Sequence, residues 1–361
     1  MRHRMSLMED YRYLILAEGE FGPLTSKTAN SAIRYIGDRV VGVIDSKQAG
    51  RKVQEVLGFG GDIPVVGTLA EGLEFEPTAL LIGIAPSGGR LPLHWRPTLI
   101  GALEAGLPLV SGLHIYLSDD PELAQLSELE GVPIHDLRKP PEDLSISLGK
   151  AREVDALVVH TVGTDCNIGK MTAALEIRRS LVERGASVGF APTGQTGILI
   201  EGWGISVDSV IADYIAGAAE RIVLEAAAAN DIVLVEGQGS LVHPAYSGVT
   251  LGLLHGSMPD VMILCHQPSR TCAYGAGGAF RWMPIPSLPE MIAICESAIR
   301  PLRESKVIGI ALNTSDLSED EALTARDRAE QQTGLPATDP VRWDPKPLSS
   351  AILDAAAAKA R

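Results

Sequence analysis

The ten residues from Gly163 to Thr172, GTDCNIGKMT, have the residue types and spacing of a phosphate-binding loop. An apolar run at residues 156–160 predicts a buried strand before them, and the spacing of apolar residues at 173–183 predicts an amphipathic helix after them. A glycine-rich turn ending in Gly-Lys between a strand and a helix is typical of a P-loop. Unpaired N–H groups at the helix start, the helix dipole and Lys170 would all favour a phosphate. The alternative is an ordinary glycine turn with a solvated lysine.

Two positions of this loop differ from the usual pattern. Met171 stands where a Ser or Thr normally places its hydroxyl on magnesium, and the hydroxyl comes one residue later, at Thr172. A thioether is a poor ligand for a hard cation that prefers oxygen. Either Thr172 reaches in from a shifted helix start, or magnesium is not held in the ordinary way. Phosphate binding is therefore better supported than nucleotide hydrolysis, and no metal site is predicted.

Acidic residues follow the loop in the order expected for catalysis at strand ends. Asp208 precedes a predicted helix at 210–229, and Glu236 lies at the carboxyl end of a predicted strand at 231–239. Open α/β sheets bind their ligands at the carboxyl ends of strands, so either carboxylate could hold a metal or act as a base. The alternative is that each one caps a helix or satisfies a turn.

Three further positions are candidates for catalysis or for substrate binding. His243 lies in the loop GSLVHPAY, where it is expected to be exposed enough to titrate, although such a histidine is often only a cap. Arg270 follows a predicted strand at 261–265, and Arg90 follows a strand in the first half of the chain. A guanidinium group matches a carboxylate, so either arginine could hold an acidic substrate.

Alternating strands and helices divide the chain into two α/β domains. From residue 11 to about 140 the βαβ rhythm predicts a parallel sheet with helices on both faces. Two prolines in the charged stretch 138–143 interrupt both helix and strand and mark a boundary. The rhythm then begins again with the phosphate loop. The sequence thus predicts an N-terminal Rossmann-like parallel sheet domain at 1–140 and a P-loop NTPase-like α/β domain at 141–361.

A dinucleotide cofactor is not expected in the first domain. Asp45 ends the second predicted strand, at the position where dinucleotide-binding folds hold the ribose. The first turn, EGEFGP at 18–23, however, lacks the GxGxxG pattern that such cofactors need.

Composition and charge narrow the classes of partner. The 361 residues carry a net charge of −14, which disfavours nucleic acid because backbone phosphates would be repelled. No apolar stretch approaches the roughly 20 residues that span a bilayer. The start lacks the apolar core of a signal peptide, and the four cysteines show no metal-ligand spacing and suit a reducing compartment. We expect a cytoplasmic homo-oligomer that acts on a small molecule.

Between residues 155 and 240 the sequence resembles dethiobiotin synthetase and its relatives. The shared features are a GTD-type loop ending in Gly-Lys, a Gln-Thr-Gly loop at 195–197 and a Val-Glu-Gly strand end. Those enzymes carry Thr directly after the Lys, so Met171 departs from them. Nearly the whole chain resembles the D-glutamate N-acetyltransferase family, long catalogued as a domain of unknown function. The Rossmann-like first domain, GTDCNIGKMT, VEGQGSLVHPAYSGVTLGLLHG (235–256) and LCHQPSR (264–270) carry this resemblance.

The family resemblance implies acetyl transfer from acetyl-CoA to the amino group of D-glutamate, within D-amino-acid catabolism. The P-loop would then anchor the CoA phosphates without hydrolysis, and the substrate is expected in a cleft between the domains. Two alternatives stay open: an ATP- and magnesium-dependent ligase similar to dethiobiotin synthetase, and a non-catalytic nucleotide- or CoA-binding protein. The candidate residues are Glu236, His243 and Asp208 for catalysis; Gly163, Thr164, Asp165, Cys166, Asn167, Ile168, Gly169, Lys170, Met171 and Thr172 for the cofactor; and Arg90, Arg270 and Gln195 for the substrate.

Overall fold

Short apolar runs form the strands of two parallel sheets, and the segments between them form the covering helices. A computed structural model of the chain describes residue 8 and residues 10–84 and 91–360. The chain forms two units, each built on one six-stranded sheet. The first unit contains residues up to 140 together with 195–206, and the second contains 141–194 together with the chain from 207 onward.

The bounds of the elements are as follows. The strands are β1 (Tyr13–Leu16), β2 (Val40–Ile44), β3 (Val65–Val66), β4 (Ala79–Ile82), β5 (Leu109–Ser111), β6 (Ile134–Asp136), β7 (Leu157–Gly163), β8 (Val188–Ala191), β9 (Ile232–Val235), β10 (Val261–His266), β11 (Lys306–Leu312) and β12 (Ala337–Thr338). The helices are α1 (Lys27–Tyr35), α2 (Val53–Leu57), α3 (Leu69–Leu73), α4 (Arg96–Glu104), α5 (Pro121–Glu130), α6 (Lys170–Glu183), α7 (Gln195–Glu201), α8 (Ile215–Ala227), α9 (Ser247–Ser257), α10 (Leu288–Ile299), α11 (Glu319–Thr333) and α12 (Lys346–Lys359). Within the described ranges, no helix is long and apolar enough to cross a membrane.

The first sheet has the strand order β3-β2-β1-β4-β5-β6, which is the order of a Rossmann fold. Its strands pair in parallel, and every residue of β1 and of β4 is buried. Helices on both faces explain this burial, because an all-parallel sheet leaves neither face to water. The Rossmann-like prediction for this part of the chain is therefore confirmed.

The second sheet has the order β12-β11-β10-β7-β9-β8, again with parallel pairing throughout. Strand β7 lies between β10 and β9. After β7 the chain first forms β8 and β9 on one side of it, and then forms β10, β11 and β12 on the other side. This arrangement is a topological switch point, and ligands of open α/β sheets bind at the carboxyl ends of the strands there. The predicted phosphate loop follows β7 and occupies this position.

Residues 195–197 do not form the loop that the sequence predicts. Helix α7 begins at Gln195, and its apolar residues Ile198 and Leu199 are buried in the hydrophobic core of the first unit. Burial of these side chains stabilises the short helix through tertiary packing, which local sequence patterns do not reveal. The helix predicted at 210–229 is also shorter, because α8 begins only at Ile215, after a 3₁₀ turn.

Candidate active site

The phosphate loop joins the end of β7 at Gly163 to the start of α6 at Lys170. Asn167 and Gly169 have left-handed backbone angles, with φ of 59° and 94°, which turn the chain sharply into the helix. The first backbone N–H groups of a helix have no acceptor within it, and here these belong to Lys170, Met171 and Thr172. The helix start therefore presents donors and a positive dipole end to an anion.

Lys170 is folded into its own loop and is 6% exposed. Its Nζ donates to the carbonyl oxygen of Asp165 at 2.8 Å. Its side chain passes over Gly237, where an added Cβ would lie 1.5 Å from the Thr161 carbonyl oxygen and 3.2 Å from Lys170 Cδ. Burial lowers the pKa of Lys170, because removing an ammonium group from water disfavours the charged form. A bound phosphate would offset that cost.

Glu236 directly follows the last residue of β9 and is 6% exposed. Its Oε2 accepts hydrogen bonds from the backbone N–H groups of Thr193 (2.9 Å) and Gly194 (3.1 Å). Within the part of the chain that the structure describes, Oε1 has no hydrogen-bond partner. Burial, and further the charge of Asp208, raise the pKa of Glu236 to about 7, although the two N–H bonds and Lys170 act to lower it. The carboxyl group can therefore exchange a proton near neutral pH.

Asp208 lies in the 3₁₀ turn Val207–Ser209 and is exposed to solvent. The turn is tied to the strand end that carries Thr193, because Val207 N–H donates to the Thr193 carbonyl oxygen at 2.9 Å. The negative charge of Asp208 acts on Glu236. The second unit thus brings together Lys170, Glu236 and Asp208, as expected if strand ends carry the chemistry.

Asp165 organises the loop from within and is 1% exposed. One carboxylate oxygen accepts from Cys166 N–H at 2.7 Å, and the other accepts from Tyr274 N–H at 2.8 Å and from Arg270 Nη1 at 3.0 Å. Arg270 also donates to the carbonyl oxygen of Cys166 at 2.7 Å. Much of the donor fork of Arg270 therefore holds the phosphate loop, and its predicted contact with a substrate carboxylate stays a prediction.

His243 is completely buried, so the expectation of an exposed histidine is wrong. The rings of Tyr246 and Phe280 pack against it, with centroids 4.6 and 4.8 Å away. Its Nδ1 accepts from Ala245 N–H at 3.2 Å, which leaves the proton on Nε2, and Nε2 donates to the Tyr274 carbonyl oxygen at 2.9 Å. Both nitrogens are engaged, so His243 could act as a base only after breaking one of these bonds.

Gln195 and Arg270, two of the predicted substrate residues, belong to different units. Gln195 belongs to the first unit, where its Oε1 accepts from Arg138 Nη1 at 3.3 Å. Arg138 is only 4% exposed, although the sequence places it in a charged boundary stretch, and no local pattern signals this burial. Arg90 lies outside the described residues.

Cys166 does not have the properties of a nucleophile. Burial and the neighbouring Asp165 raise the pKa of its thiol to about 11, so the reactive thiolate is scarce at neutral pH. Cys166, Asp165 and His243 also form a group whose possible metal-ligand atoms all lie within 4.8 Å of one another. A metal there would have to break a hydrogen bond of His243, because both of its ring nitrogens are engaged. The prediction of no metal site stays a prediction.

A Rossmann-ordered sheet, and a second sheet with a phosphate loop at its switch point, define a two-unit α/β protein with a P-loop domain. Family models agree with each unit in turn. Residues 46–140 match a "Domain of unknown function (DUF1611_N) Rossmann-like domain", and residues 145–349 match a "Domain of unknown function (DUF1611_C) P-loop domain". The chain belongs to the DUF1611 family.

Several relatives of known name or structure are similar to this chain. A D-glutamate N-acetyltransferase of Tritonibacter scottomollicae is 42% identical over 279 residues, which cover 76% of this chain and 81% of the relative. A second D-glutamate N-acetyltransferase, from a Pseudoalteromonas species, is 38% identical, with the same coverage of both chains. A crystal structure of a DUF1611 family protein from Anabaena variabilis ATCC 29413 is 38% identical, with a TM-score of 0.90 over 96% of this chain and 100% of that one. The predicted family and the predicted fold are both confirmed.

Proposed function

We propose that the protein is an N-acetyltransferase that moves the acetyl group of acetyl-CoA to the amino group of D-glutamate. The observation that carries this proposal is the 42% identity to a relative named D-glutamate N-acetyltransferase, across three quarters of this chain and four fifths of the relative. The ATP-dependent ligase is less favoured, because Met171 stands in the magnesium-ligand position and the relatives bear a transferase name. A cytoplasmic location and a homo-oligomeric state belong to the same proposal.

In this proposal the phosphate loop holds coenzyme A and performs no hydrolysis. Coenzyme A carries a pyrophosphate, and the N–H groups at the start of α6 with Lys170 offer it donors and charge. The Lys170 ammonium would exchange its bond to the Asp165 carbonyl oxygen for bonds to phosphate oxygens. Such charge-assisted bonds are stronger than bonds to a neutral carbonyl. No magnesium ion is needed for this binding.

Glu236 is the proposed base, with Asp208 as the group that adjusts it. The amino group of glutamate arrives as an ammonium and must lose a proton before it can attack. Glu236, with a pKa of about 7, takes that proton on the oxygen that makes no other hydrogen bond. The amine nitrogen then bonds to the thioester carbonyl carbon, and the carbon–sulfur bond breaks. The sulfur of coenzyme A takes the second amine proton, and Glu236 returns the first to solvent.

The two substrate carboxylates need cations, because burying them unpaired is costly. Arg270 and Arg90 are the cations proposed for this role, and Gln195 is proposed to bind the substrate through its neutral amide. His243 is proposed as a positioning residue through its bond to the Tyr274 carbonyl oxygen. Replacing the arginine that binds the substrate with Lys should raise the KM for D-glutamate and leave that for acetyl-CoA unchanged, because a point charge loses the bidentate geometry.

One comparison of product release tests the proposal. The protein is incubated with acetyl-CoA and D-glutamate while free thiol is measured, and in parallel with ATP and magnesium while phosphate is measured. Thiol release that requires D-glutamate and exceeds that with L-glutamate supports the proposal. Phosphate release without thiol would establish the ligase instead. Neither product, with intact binding of coenzyme A in calorimetry, would establish a non-catalytic binding protein.

A further inference from the structure

A hairpin bonded to the phosphate loop contacts no substrate group in the proposed mechanism. Residues 271–285 follow β10 and fold back on themselves, and we call them the glycine hairpin. Cys272 pairs with Pro284 in an antiparallel bridge. Ala273 N–H donates to the Met283 carbonyl oxygen at 2.9 Å, and Ile285 N–H donates to the Thr271 carbonyl oxygen at 3.0 Å. The turn between the two arms is rich in glycine, at residues 275–278.

Buried polar groups fix the glycine hairpin to the phosphate loop. Tyr274 N–H donates to the Asp165 carboxylate at 2.8 Å, and the Tyr274 carbonyl oxygen accepts from His243 Nε2 at 2.9 Å. On the other arm, the Phe280 ring packs edge-on against His243, with the centroids 4.8 Å apart. Asp165 and His243 are both almost completely buried, so the hairpin has a defined position relative to the loop.

Two tyrosines present aromatic surface at this place. Tyr274 is 47% exposed and Tyr246 is 46% exposed. His243 packs against the Tyr246 ring at 4.6 Å with an interplanar angle of 30°, and the Arg270 guanidinium lies 5.3 Å from the Tyr274 ring centroid. Both rings are therefore held from one side. Held aromatic rings are the surfaces on which nucleic-acid bases stack.

Arg281 adds a cation without a protein partner. Its side chain is exposed, and within the described residues its guanidinium makes no hydrogen bond or ion pair. It lies along the backbone of Gly278, where an added Cβ would be 2.5 Å from its Nε. The preceding residue, Phe280, packs against His243, one of the groups that anchor the hairpin. In a chain with a net charge of −14, an arginine without a protein partner on a hairpin that is bonded to the phosphate loop favours a second anionic group on the same ligand.

We propose that the glycine hairpin binds the adenosine 3′-phosphate end of coenzyme A, with Arg281 on the 3′-phosphate and Tyr274 and Tyr246 against the adenine. The inference rests on the proposed function, because that function supplies the ligand. Coenzyme A bears phosphates at two places, the pyrophosphate and the ribose 3′-position. The phosphate loop has one lysine and serves the pyrophosphate. The 3′-phosphate then needs its own cation, and the donor fork of arginine matches it.

Dephospho-CoA, which lacks only the 3′-phosphate, tests the role of Arg281. Calorimetry on the full-length protein should show wild type binding coenzyme A about 10- to 100-fold more tightly than dephospho-CoA. Arg281→Gln should abolish this preference by weakening coenzyme A alone, with dephospho-CoA unchanged. Arg328→Gln is the matched control, because Arg328 is an exposed arginine on α11 that is likewise without a partner within the described residues. It should retain the full preference.

A second variant tests the stacking. Tyr274→Leu keeps both backbone hydrogen bonds of the hairpin, because they use the N–H and carbonyl groups. It should weaken coenzyme A and dephospho-CoA by about 5- to 50-fold each. Binding of 4′-phosphopantetheine, which has no adenine, should not change. Thermal melts of each variant establish that it remains folded.

The outcomes separate this subsite from the proposed function. If wild type does not distinguish the two ligands, or if Arg281→Gln keeps the preference, the subsite is wrong although coenzyme A binding stands. If Tyr274→Leu weakens 4′-phosphopantetheine equally, the tyrosine does not contact adenine. If wild type binds no coenzyme A at all, the proposed function fails and the subsite fails with it.

Discussion

The two units place an acidic residue at the same point of their sheets but use it differently. Asp45 follows β2, which pairs with β1, and Glu236 follows β9, which pairs with β7. Asp45 uses both carboxylate oxygens to accept backbone N–H bonds, from Phe21 at 2.8 Å and from Lys47 and Gln48 at 2.8 and 3.2 Å. Glu236 uses one oxygen for two such bonds. A strand-end carboxylate is thus structural in one unit and retains proton-accepting capacity in the other.

The lysines of the two units differ in a related way. Lys47 Nζ donates to the Gly19 carbonyl oxygen at 2.8 Å, and Lys170 Nζ donates to the Asp165 carbonyl oxygen at 2.8 Å. Each lysine therefore bonds to the loop that follows the first strand of its sheet. Lys47 is exposed, whereas Lys170 is buried at the start of a helix. The bond alone does not make an anion site; burial and free helix N–H groups must accompany it.

The largest expected difference between the two carboxylates is in turnover. Glu236→Gln should lower kcat for acetyl transfer by roughly 10²–10⁴-fold, because an amide cannot take the ammonium proton. Asp45→Asn should leave kcat per folded molecule unchanged. Steady-state thiol release, normalised to the folded fraction, measures both. A Glu236→Gln enzyme with wild-type kcat would remove Glu236 from the mechanism.

Stability against pH should separate the same two variants. The folded-state pKa of Glu236 is about 7, above the ordinary value of 4.5 for a glutamate in the unfolded chain, so between these values the folded chain binds a proton that the unfolded chain has lost. The free energy of unfolding therefore falls as pH rises through this window, by about 3 kcal/mol from this group. Glutamine does not ionise, so the free energy of unfolding of Glu236→Gln should not fall in this window. The variant should therefore be more stable than wild type at pH 8.

Asp45→Asn should shift stability in the opposite direction. An amide retains one acceptor oxygen, so at least one of three buried N–H bonds is lost, at a cost of about 1–3 kcal/mol. Denaturant titrations at pH 5 and pH 8 check both variants. The comparison breaks down if Glu236→Gln is destabilised at pH 8 as strongly as Asp45→Asn.

The two lysines should differ in ligand affinity. Lys170→Ala should weaken coenzyme A binding by roughly 1.5–3 kcal/mol, the scale of a charge-assisted hydrogen bond. Lys47→Ala is the matched control in the first unit and should leave the affinity unchanged. Calorimetry measures both. An unchanged affinity for Lys170→Ala would remove the phosphate-loop interpretation.

The smallest expected effect is that of removing metals. Acetyl transfer should proceed at the same rate after treatment with EDTA, because Met171 replaces the usual magnesium ligand and coenzyme A binding requires no ion. A rate that collapses with EDTA and returns with magnesium would instead favour the ligase.

Local patterns of apolar residues were sufficient to predict the main strands and helices of the two sheets. The predicted strands at 40–44 and 261–265 agree with β2 and β10 to within one residue, because continuous apolar runs mark buried parallel strands. Strand β7 and helix α6 extend farther toward the phosphate loop than predicted, since Gly163 and Lys170 already have strand and helix geometry. The composition of the loop itself, rather than apolar periodicity, identified the intervening turn.

Features that depend on contacts distant in sequence could not be predicted. His243 is buried because Phe280, 37 residues later, covers it, and the buried Arg138 donates to Gln195, 57 residues away. The raised pKa of Glu236 likewise needs the fold, because it results from burial and from a carboxylate in a separate turn. The roles of the individual site residues remain predictions for the variants above.

Residues 195–206 have a consequence for how the protein is made and divided. They add Ile198 and Leu199 to the core of the first unit, although 54 residues of the second unit, 141–194, precede them in the chain. During synthesis the first unit therefore cannot complete its core until part of its neighbour has left the ribosome. A fragment ending at residue 140 lacks these two side chains, and a fragment starting at 141 carries them without the core that buries them. Each unit has its own sheet, but the first unit can complete its core only after part of the second has been synthesised.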